Sequence, residues 1–436
     1  MRIDGVLESM DFPAAGARMH ALAERLFPIC RSITGAGLRE TLAIIGERVP
    51  LALTEVPSGT PAFDWTVPRE WSIRDAWIRD PSGKKWAEFR RSNLHVVGYS
   101  VPVRTRMSLS ALRPRLHSLP DQPGRIPYRT SYYKEDWGFC LRDSDLRALP
   151  EGEYEVCIDS TLADGSLTYG ECFLPGRSAE EVLIFSHACH PSLANDNLSG
   201  LGVAVELAGA LGCAERRYSY RFVFAPTVIG AITWLSRNED AAARVRHGLV
   251  LALLGDAGAP TYKRSRRGDA AIDRAMAHAL AHAGGPFMVR EFSPYGYDER
   301  QFCSPGFDLP MGCFMRSPNG TFPEYHNSGD DLAFLKPGSL AESFRVCLTA
   351  LAALEGDGVY VNQNPKCEPR LGKRGIYEGL KGKPSLGSAE MALLWVLNYS
   401  DGGHSLLAIA EKAGLPFASV RKAAELLEGC GLLKAA

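Results

Sequence analysis

The chain has 436 residues, 45% of them apolar and 23% charged, a composition that excludes a disordered, fibrous or collagen-like polypeptide and leaves room for two or three domains with a sizeable core. With 49 Lys and Arg against 50 Asp and Glu, the net charge of -1 gives no global reason to expect a nucleic acid or an anionic membrane as partner. No apolar run is long enough to span a bilayer, and Met1-Arg2-Ile3-Asp4-Gly5 lacks the apolar core of a signal peptide, so the expected setting is the cytoplasm, without a membrane partner.

The eleven cysteines are an odd number with no Cys-x-x-Cys pair, which suits reduced thiols better than a disulfide framework. Residues 19–26 and 37–49 carry helical apolar spacing and flank the connector Cys30-Arg31-Ser32-Ile33-Thr34-Gly35. Segment 51–68 reads as extended. From about 69 to 164 the texture changes to short alternating stretches broken by Pro and Gly. This predicts a small all-β domain inserted into an α/β domain made of residues 1–68 and 165–362. Inside the insert, Tyr132-Tyr133-Lys134-Glu135-Asp136-Trp137-Gly138-Phe139 is dense in aromatics and charge. It either overhangs the site or is an ordinary strand with a polar face.

Two apolar runs, 171–174 and 182–185, surround Pro175-Gly176 and predict paired strands. The second is continuously apolar, as expected of a strand covered on both faces. His187 then falls at the carboxyl end of a central strand, where open α/β sheets bind ligands. His190 follows in a loop, and Asp196 lies at the mouth of an apolar helix over 201–211. Histidine with aspartate is a ligand set that zinc accepts. The competing reading has Asp196, Asn197 and Ser199 merely capping the helix.

Further strands are expected over 221–226 and 248–254, the second leading to Asp256. An Ala-rich helix over 270–283 carries His278 and His282 four apart, but Ala279 stands where a helical zinc motif needs glutamate, so this pair is expected on a solvated face. The loop Tyr295-Gly296-Tyr297-Asp298-Glu299-Arg300-Gln301 is charged, and Arg316 offers a cation for a substrate carboxylate. Glu324-Tyr325-His326-Asn327 adds a third histidine. Residues 363–384, rich in Pro, Gly, Lys and Arg, read as a linker. Residues 385–436, with three short helices and a closing strand, have the pattern of a winged helix. Its second-motif helix has only Arg421 and Lys422 as cations against Glu425 and Glu428, which favours packing or dimerisation, a homo-oligomer, over DNA binding.

The order His187, Asn195-Asp196-Asn197-Leu198-Ser199-Gly200, Asp256, Tyr325-His326-Asn327 resembles the zinc-dependent aminopeptidases of the two-metal type. Nearly the whole chain is similar to a bacterial aminopeptidase-like family with an inserted β domain and a C-terminal winged helix. The resemblance implies a zinc-exopeptidase-like mixed sheet with helices on both faces. It also implies His187 and Asp256 on one metal, Asp196 as bridge and His326 on the other, with His190 as the alternative to His187. Two departures stand out. Thr227 and Val228 occupy the positions of the consecutive glutamates that serve those enzymes as general base and ligand, and Cys189 replaces an aspartate.

One zinc ion is therefore the expectation, with Glu299, Asp298 or Glu324 as the substitute base and Arg316 and Tyr297 as substrate contacts. The expected activity is hydrolysis of a small peptide-like or acylamino substrate, and the family resemblance implies a polysaccharide or secondary-metabolite pathway. The rival readings are a repurposed binding protein that has lost peptidase activity and a winged-helix regulator.

Overall fold

The apolar run around Leu183 becomes the strand Glu181–His187, whose seven residues are all buried. In this computed structural model, which describes residues 2–376 and 387–436, it is a central strand of an eight-stranded mixed sheet. The strands in chain order are β1 (Ala52–Pro57), β2 (Ser166–Leu174), β3 (Glu181–His187), β4 (Ser219–Ala225), β5 (Val245–Leu251), β6 (Thr261–Lys263), β7 (Met288–Arg290) and β8 (Met311–Met315). Their spatial order is β1-β2-β4-β3-β5-β8-β6-β7. β4, β3, β5 and β8 are mutually parallel, whereas β1, β2 and β6 join by antiparallel pairing.

The chain steps from β3 to β4 on one side and then back to β5 on the other. The strand order thus reverses at β3, and crevices at such reversals are where α/β sheets bind ligands. The expected pairing of 171–174 with 182–185 is corrected here: β2 pairs with β1 and β4, and β4 lies between β2 and β3. Pro175-Gly176 is the start of a crossing rather than a hairpin turn. A Cβ on Gly176 would sit 2.1 Å from the Tyr218 carbonyl oxygen, so only glycine lets the chain pass the entry to β4.

The core of this sheet joins Leu183 and Phe185 on β3 with Val223 on β4, Val250 on β5, Met311 and Cys313 on β8, and Trp234 on the helix Ile229–Arg237. Phe185 has no exposed surface and meets Phe302 at 5.3 Å between ring centroids. Phe185→Ala should destabilise the protein by about 3–5 kcal/mol, because the central strand cannot collapse into the void. A chemical-denaturation midpoint reads this directly.

Two compact units divide the described chain: Asp11–Ala270 with Pro286–Arg345, and Met1–Met10 with Ala271–Gly285 and Val346–Ala436. The first unit also holds a four-stranded antiparallel sheet ordered Lys85–Glu88, Glu70–Arg79, Glu153–Ala163, Val103–Ser108. Along Glu153–Ala163 the residues Tyr154, Val156 and Ile158 alternate inward, the period expected of a half-buried strand. They pack with Phe139, Leu109 and Leu112 in a separate apolar cluster.

In the second unit the helices Ser388–Tyr399, Leu406–Ala413 and Phe417–Gly429 accompany a three-stranded sheet ordered Asp401–Ser405, Val359–Asn362, Leu433–Ala435. The segment expected as a linker, 363–384, lies partly outside the described residues. His278 is not on a solvated face as expected. It is 8% exposed, and its Nε2 accepts the Phe417 backbone N–H at 3.1 Å, which satisfies a free donor at the start of the helix Phe417–Gly429. Arg421 Nη1 donates to the Gly356 carbonyl and Nε to Glu425, and Lys422 pairs with Glu8. All eleven cysteines are free thiols. Among the described residues, no helix is long and apolar enough to cross a membrane.

Candidate metal centre

Three imidazoles converge on one carboxylate at the carboxyl end of β3. Asp196 follows β3 through the loop 188–195 and is completely buried. His187 Nε2 lies 2.9 Å from Asp196 Oδ1, and His326 Nε2 lies 3.0 Å from Oδ2. His190 Nδ1 is 3.4 Å from Oδ1, buried and without a hydrogen bond of its own. His187, His190 and Asp196 thereby present three donor atoms within 4.8 Å of one another. The sequence offered His190 and His187 as alternatives; the fold brings both to the same oxygen.

The loop geometry is held by a second carboxylate that the sequence reading missed. Asp330 accepts the backbone N–H of Asn195 through Oδ1 at 2.6 Å and that of Asp196 through Oδ2 at 2.9 Å. Asp330 lies in the polar run that follows His326, but nothing in its spacing distinguishes it from surface residues of such a loop. Asn197 adds a further tie: its Nδ2 donates to Ser186 Oγ and to the Leu251 carbonyl, both at 3.0 Å, joining the ends of β3 and β5. Capping accounts for part of the stretch as well: Ser199 makes no side-chain cap at the following helix Gly200–Gly212, but Asn197 Oδ1 accepts the Gly200 N–H at 3.3 Å.

Electrostatics sort the groups. Burial by itself would raise the Asp196 carboxyl, but the favourable field of the His190 ring and the hydrogen bonds from His187 and His326 outweigh it and hold the group well below the usual carboxylate range. Burial pushes the His190 imidazole down to about 4. An ionised carboxylate beside a neutral imidazole is the protonation state a divalent cation requires. Burial also raises the Cys189 thiol to about 12, and its sulfur accepts the Thr227 N–H at 3.4 Å.

Asp256 is buried near this loop but fully engaged. It accepts from Asn195 Nδ2 at 2.9 Å, Ser317 Oγ at 2.6 Å and Gly258 N at 2.6 Å, and it stands outside the three-atom cluster. Arg316 is buried too, with Nη1 on Glu342 at 2.7 Å and Nε on the Gly258 carbonyl at 2.8 Å. Glu324 pairs with Arg125 at 2.7 Å, and Glu299 with Lys263. Lys263 also donates to the carbonyls of Ser293 and Tyr295, which anchors the loop carrying Tyr297 and Asp298.

Tyr297 stacks on His187 at 5.1 Å between centroids, and Tyr325 stacks on His326 at 3.9 Å. Asp298 fills the space beside Thr227 and Val228. It accepts Thr227 Oγ1 at 3.0 Å and the Val228 N–H at 2.6 Å, and burial raises its carboxyl to about 6. Val228 has φ 58°, a conformation that a β-branched residue adopts only under strain, at the start of the helix Ile229–Arg237. That strain aims its N–H at the carboxylate.

The inserted segment supplies the remaining wall. Tyr128 N donates to the His326 carbonyl at 2.9 Å, Ser328 N to Ile126 O at 2.8 Å, and the Tyr128 ring meets His190 and His326 edge-on at 5.2 and 5.3 Å. The run Tyr132–Phe139 contributes through Tyr132, whose hydroxyl lies 3.1 Å from that of Tyr128. Farther along the run, Asp136 turns outward to Arg115 and Lys134.

Zinc bonds to nitrogen and oxygen of about 2.0–2.1 Å set tetrahedral donor separations of roughly 3.3 Å. The spacings of 2.9 and 3.4 Å from Asp196 Oδ1 to the two imidazoles fit that geometry, as does the unpartnered nitrogen of His190.

The sheet, the reversal at β3 and the His-Asp cluster define an α/β protein with an aminopeptidase-like fold. Residues 20–357 match a family described as a domain of unknown function, DUF4910, and residues 358–435 match a winged helix-turn-helix family. The chain is 50% identical over 419 residues, 96% of each chain, to a Clostridium acetobutylicum protein named as a candidate polysaccharide biosynthesis protein with an aminopeptidase-like domain. It therefore belongs to the DUF4910 family. A crystal structure of a candidate peptidase from Clostridium acetobutylicum superposes with a TM-score of 0.94 at 47% identity, covering 100% of this chain and 99% of that one. A zinc aminopeptidase from Bacillus subtilis shares the fold with a TM-score of 0.57 at 12% identity, over 77% of this chain and 93% of that one.

Proposed function

We propose that this protein is a metal-dependent amide hydrolase with a single zinc ion held by His187, His190, Asp196 and His326, acting on a small peptide-like or acylamino compound. The observation that carries the reading is the convergence of three imidazoles on the buried Asp196 carboxylate. A zinc ion bound there would supply Lewis acidity toward an amide carbonyl and acidify a water.

The chain's own residues would do the rest. Asp298 is the proton carrier in this reading, because Glu299 is held by Lys263 and Glu324 by Arg125, whereas the groups that hydrogen-bond to Asp298, Thr227 Oγ1 and Val228 N–H, are neutral. Its carboxyl at about 6 is matched to proton exchange near neutral pH. Thr227 and Val228 orient it from the positions where the zinc aminopeptidases carry glutamates. Tyr297 and Tyr325 fix the imidazole planes by stacking and exclude water from one side. Asp256 supports the Asn195-Asp196 loop rather than binding the ion, and Arg316 braces the Gly258 turn rather than the substrate.

The free thiols fit a reducing, cytoplasmic setting. The name of the Clostridium relative favours a specialised substrate in polysaccharide biosynthesis over general peptide turnover. Engagement of Arg421 and Lys422 by Gly356, Glu425 and Glu8 counts against a DNA-reading role for the winged helix.

Zinc titration of metal-free protein, followed by an amine-release assay over a panel of peptides and acylamino compounds, tests the reading. One ion per chain and release from a subset is the expected result; zinc-loaded protein inert across the panel would leave a repurposed binding protein as the better reading. Asp330→Asn should weaken zinc affinity by about 10–100-fold without removing a ligand, because an amide cannot accept both loop N–H groups. Competition with a chromophoric chelator measures it.

A further inference from the structure

Beside the three imidazoles lies a wall built from hydrogen-bond donors with no acid among them. Arg31, in the connector between the helices Phe12–Leu26 and Ala36–Gly46, is 1% exposed. Its Nε donates to the His190 carbonyl at 2.9 Å, and its Nη1 donates to the Leu26 carbonyl at the end of the helix Phe12–Leu26. Nη2 is buried and has no partner. Other buried cations are neutralised, Lys263 by Glu299 and Arg316 by Glu342. Among the described residues no carboxylate forms an ion pair with the Arg31 guanidinium; Glu40 is the carboxylate whose field reaches it.

A helix carboxyl end offsets part of such a charge. The rest is costly in a dry interior unless an anion joins it. Tyr128, whose ring touches His190 and His326, and Tyr132, hydroxyl to hydroxyl with it, border the same cluster and are half-buried.

We propose that Arg31 and the hydroxyls of Tyr128 and Tyr132 form a subsite for an anionic group, so that the substrate is an amide bearing a free carboxylate, of the N-acylamino acid type, rather than a peptide with a free amino terminus. The substrate class rests on the hydrolase reading above; the anion subsite does not. A buried guanidinium one residue's backbone away from His190 attracts a carboxylate and repels an ammonium, and the free Nη2 offers a charge-assisted hydrogen bond.

Isothermal titration calorimetry of the full chain, metal-free and zinc-loaded, with N-acetylglycine, N-acetylglycinamide and glycinamide tests the subsite without turnover. The acid should bind at least about tenfold more tightly than its amide in both forms. The metal-free arm removes any contribution of a cation to the preference. Arg31→Gln should bring the ratio of acid to amide close to one. Should that variant not fold, the Tyr128→Phe, Tyr132→Phe double variant keeps the packing and should weaken the acid by about threefold or more while leaving the amide unchanged. Equal binding of acid and amide by the metal-free protein, no binding of the acid, or tighter binding of glycinamide would overturn the subsite. An intact acid preference with no hydrolysis would support the subsite and remove the hydrolase reading.

Discussion

Asp196→Ala protein is expected to retain no zinc after dialysis, with affinity reduced by more than the roughly 100-fold that even a supporting residue can cost. Both carboxylate oxygens are committed, Oδ1 to His187 and His190 and Oδ2 to His326, so the change removes the one group common to all three imidazoles. Differential scanning calorimetry offers a second readout. Zinc at about 100 times its Kd should stabilise the unaltered protein by about 2.7 kcal/mol and the variant not at all. Elemental analysis fixes the stoichiometry. One ion supports the mononuclear proposal. Two ions would mean that groups beyond the imidazole cluster, Asp256 first among them, take up a second metal.

Asp298→Asn should lower amide hydrolysis by about 10²–10⁴ while zinc content stays at the unaltered level. That combination separates a proton carrier from a ligand. The variant also has a pH signature. The carboxyl of an unfolded aspartate titrates at 3.8 and that of folded Asp298 at about 6, because burial disfavours the ionised form. The folded state therefore holds this proton more tightly than the unfolded state. Its stabilising contribution is complete below about pH 4, declines as pH rises toward about 6 and is absent above that, a change of about 3 kcal/mol. Asparagine cannot ionise, so the variant should lose this decline. Denaturation midpoints at pH 4 and pH 7 in metal-free protein measure it. A bound zinc ion would draw the carboxyl down, and the acid limb of the activity profile should then lie below pH 6.

His187 and Asp196 were legible because each sits at a boundary that sequence marks clearly: the end of an uninterrupted apolar run and the entry to an apolar helix. His326 was legible only through the similarity of its surroundings to a known family. Asp330 and Arg31 gave no such sign. One is a carboxylate in a polar loop, the other an arginine in a short connector, and both look like surface residues until the fold buries them. The β2 to β3 connection misled for a related reason. A Pro-Gly turn reports a local change of direction, whereas strand pairing depends on β4, which arrives some 30 residues later than β3 and inserts between them.

His278 failed in the same way. Its spacing from His282 on an Ala-rich helix reads as a polar stripe, but a partner from another part of the chain, the Phe417 N–H, covers it.

The sequence by itself determined the α/β class, the central buried strand, the winged helix and a histidine-aspartate pair at the sheet edge. These depend on apolar periodicity and on residues close together in the chain. Tertiary structure alone decided that both His187 and His190 reach one oxygen, that Asp256 and Arg316 face other partners, that Asp298 stands against Thr227 and Val228, and that Arg31 is buried with no ion-pair partner among the described residues. Burial and charge pairing are set by segments tens to hundreds of residues apart, and a sequence pattern carries no record of which of them will meet.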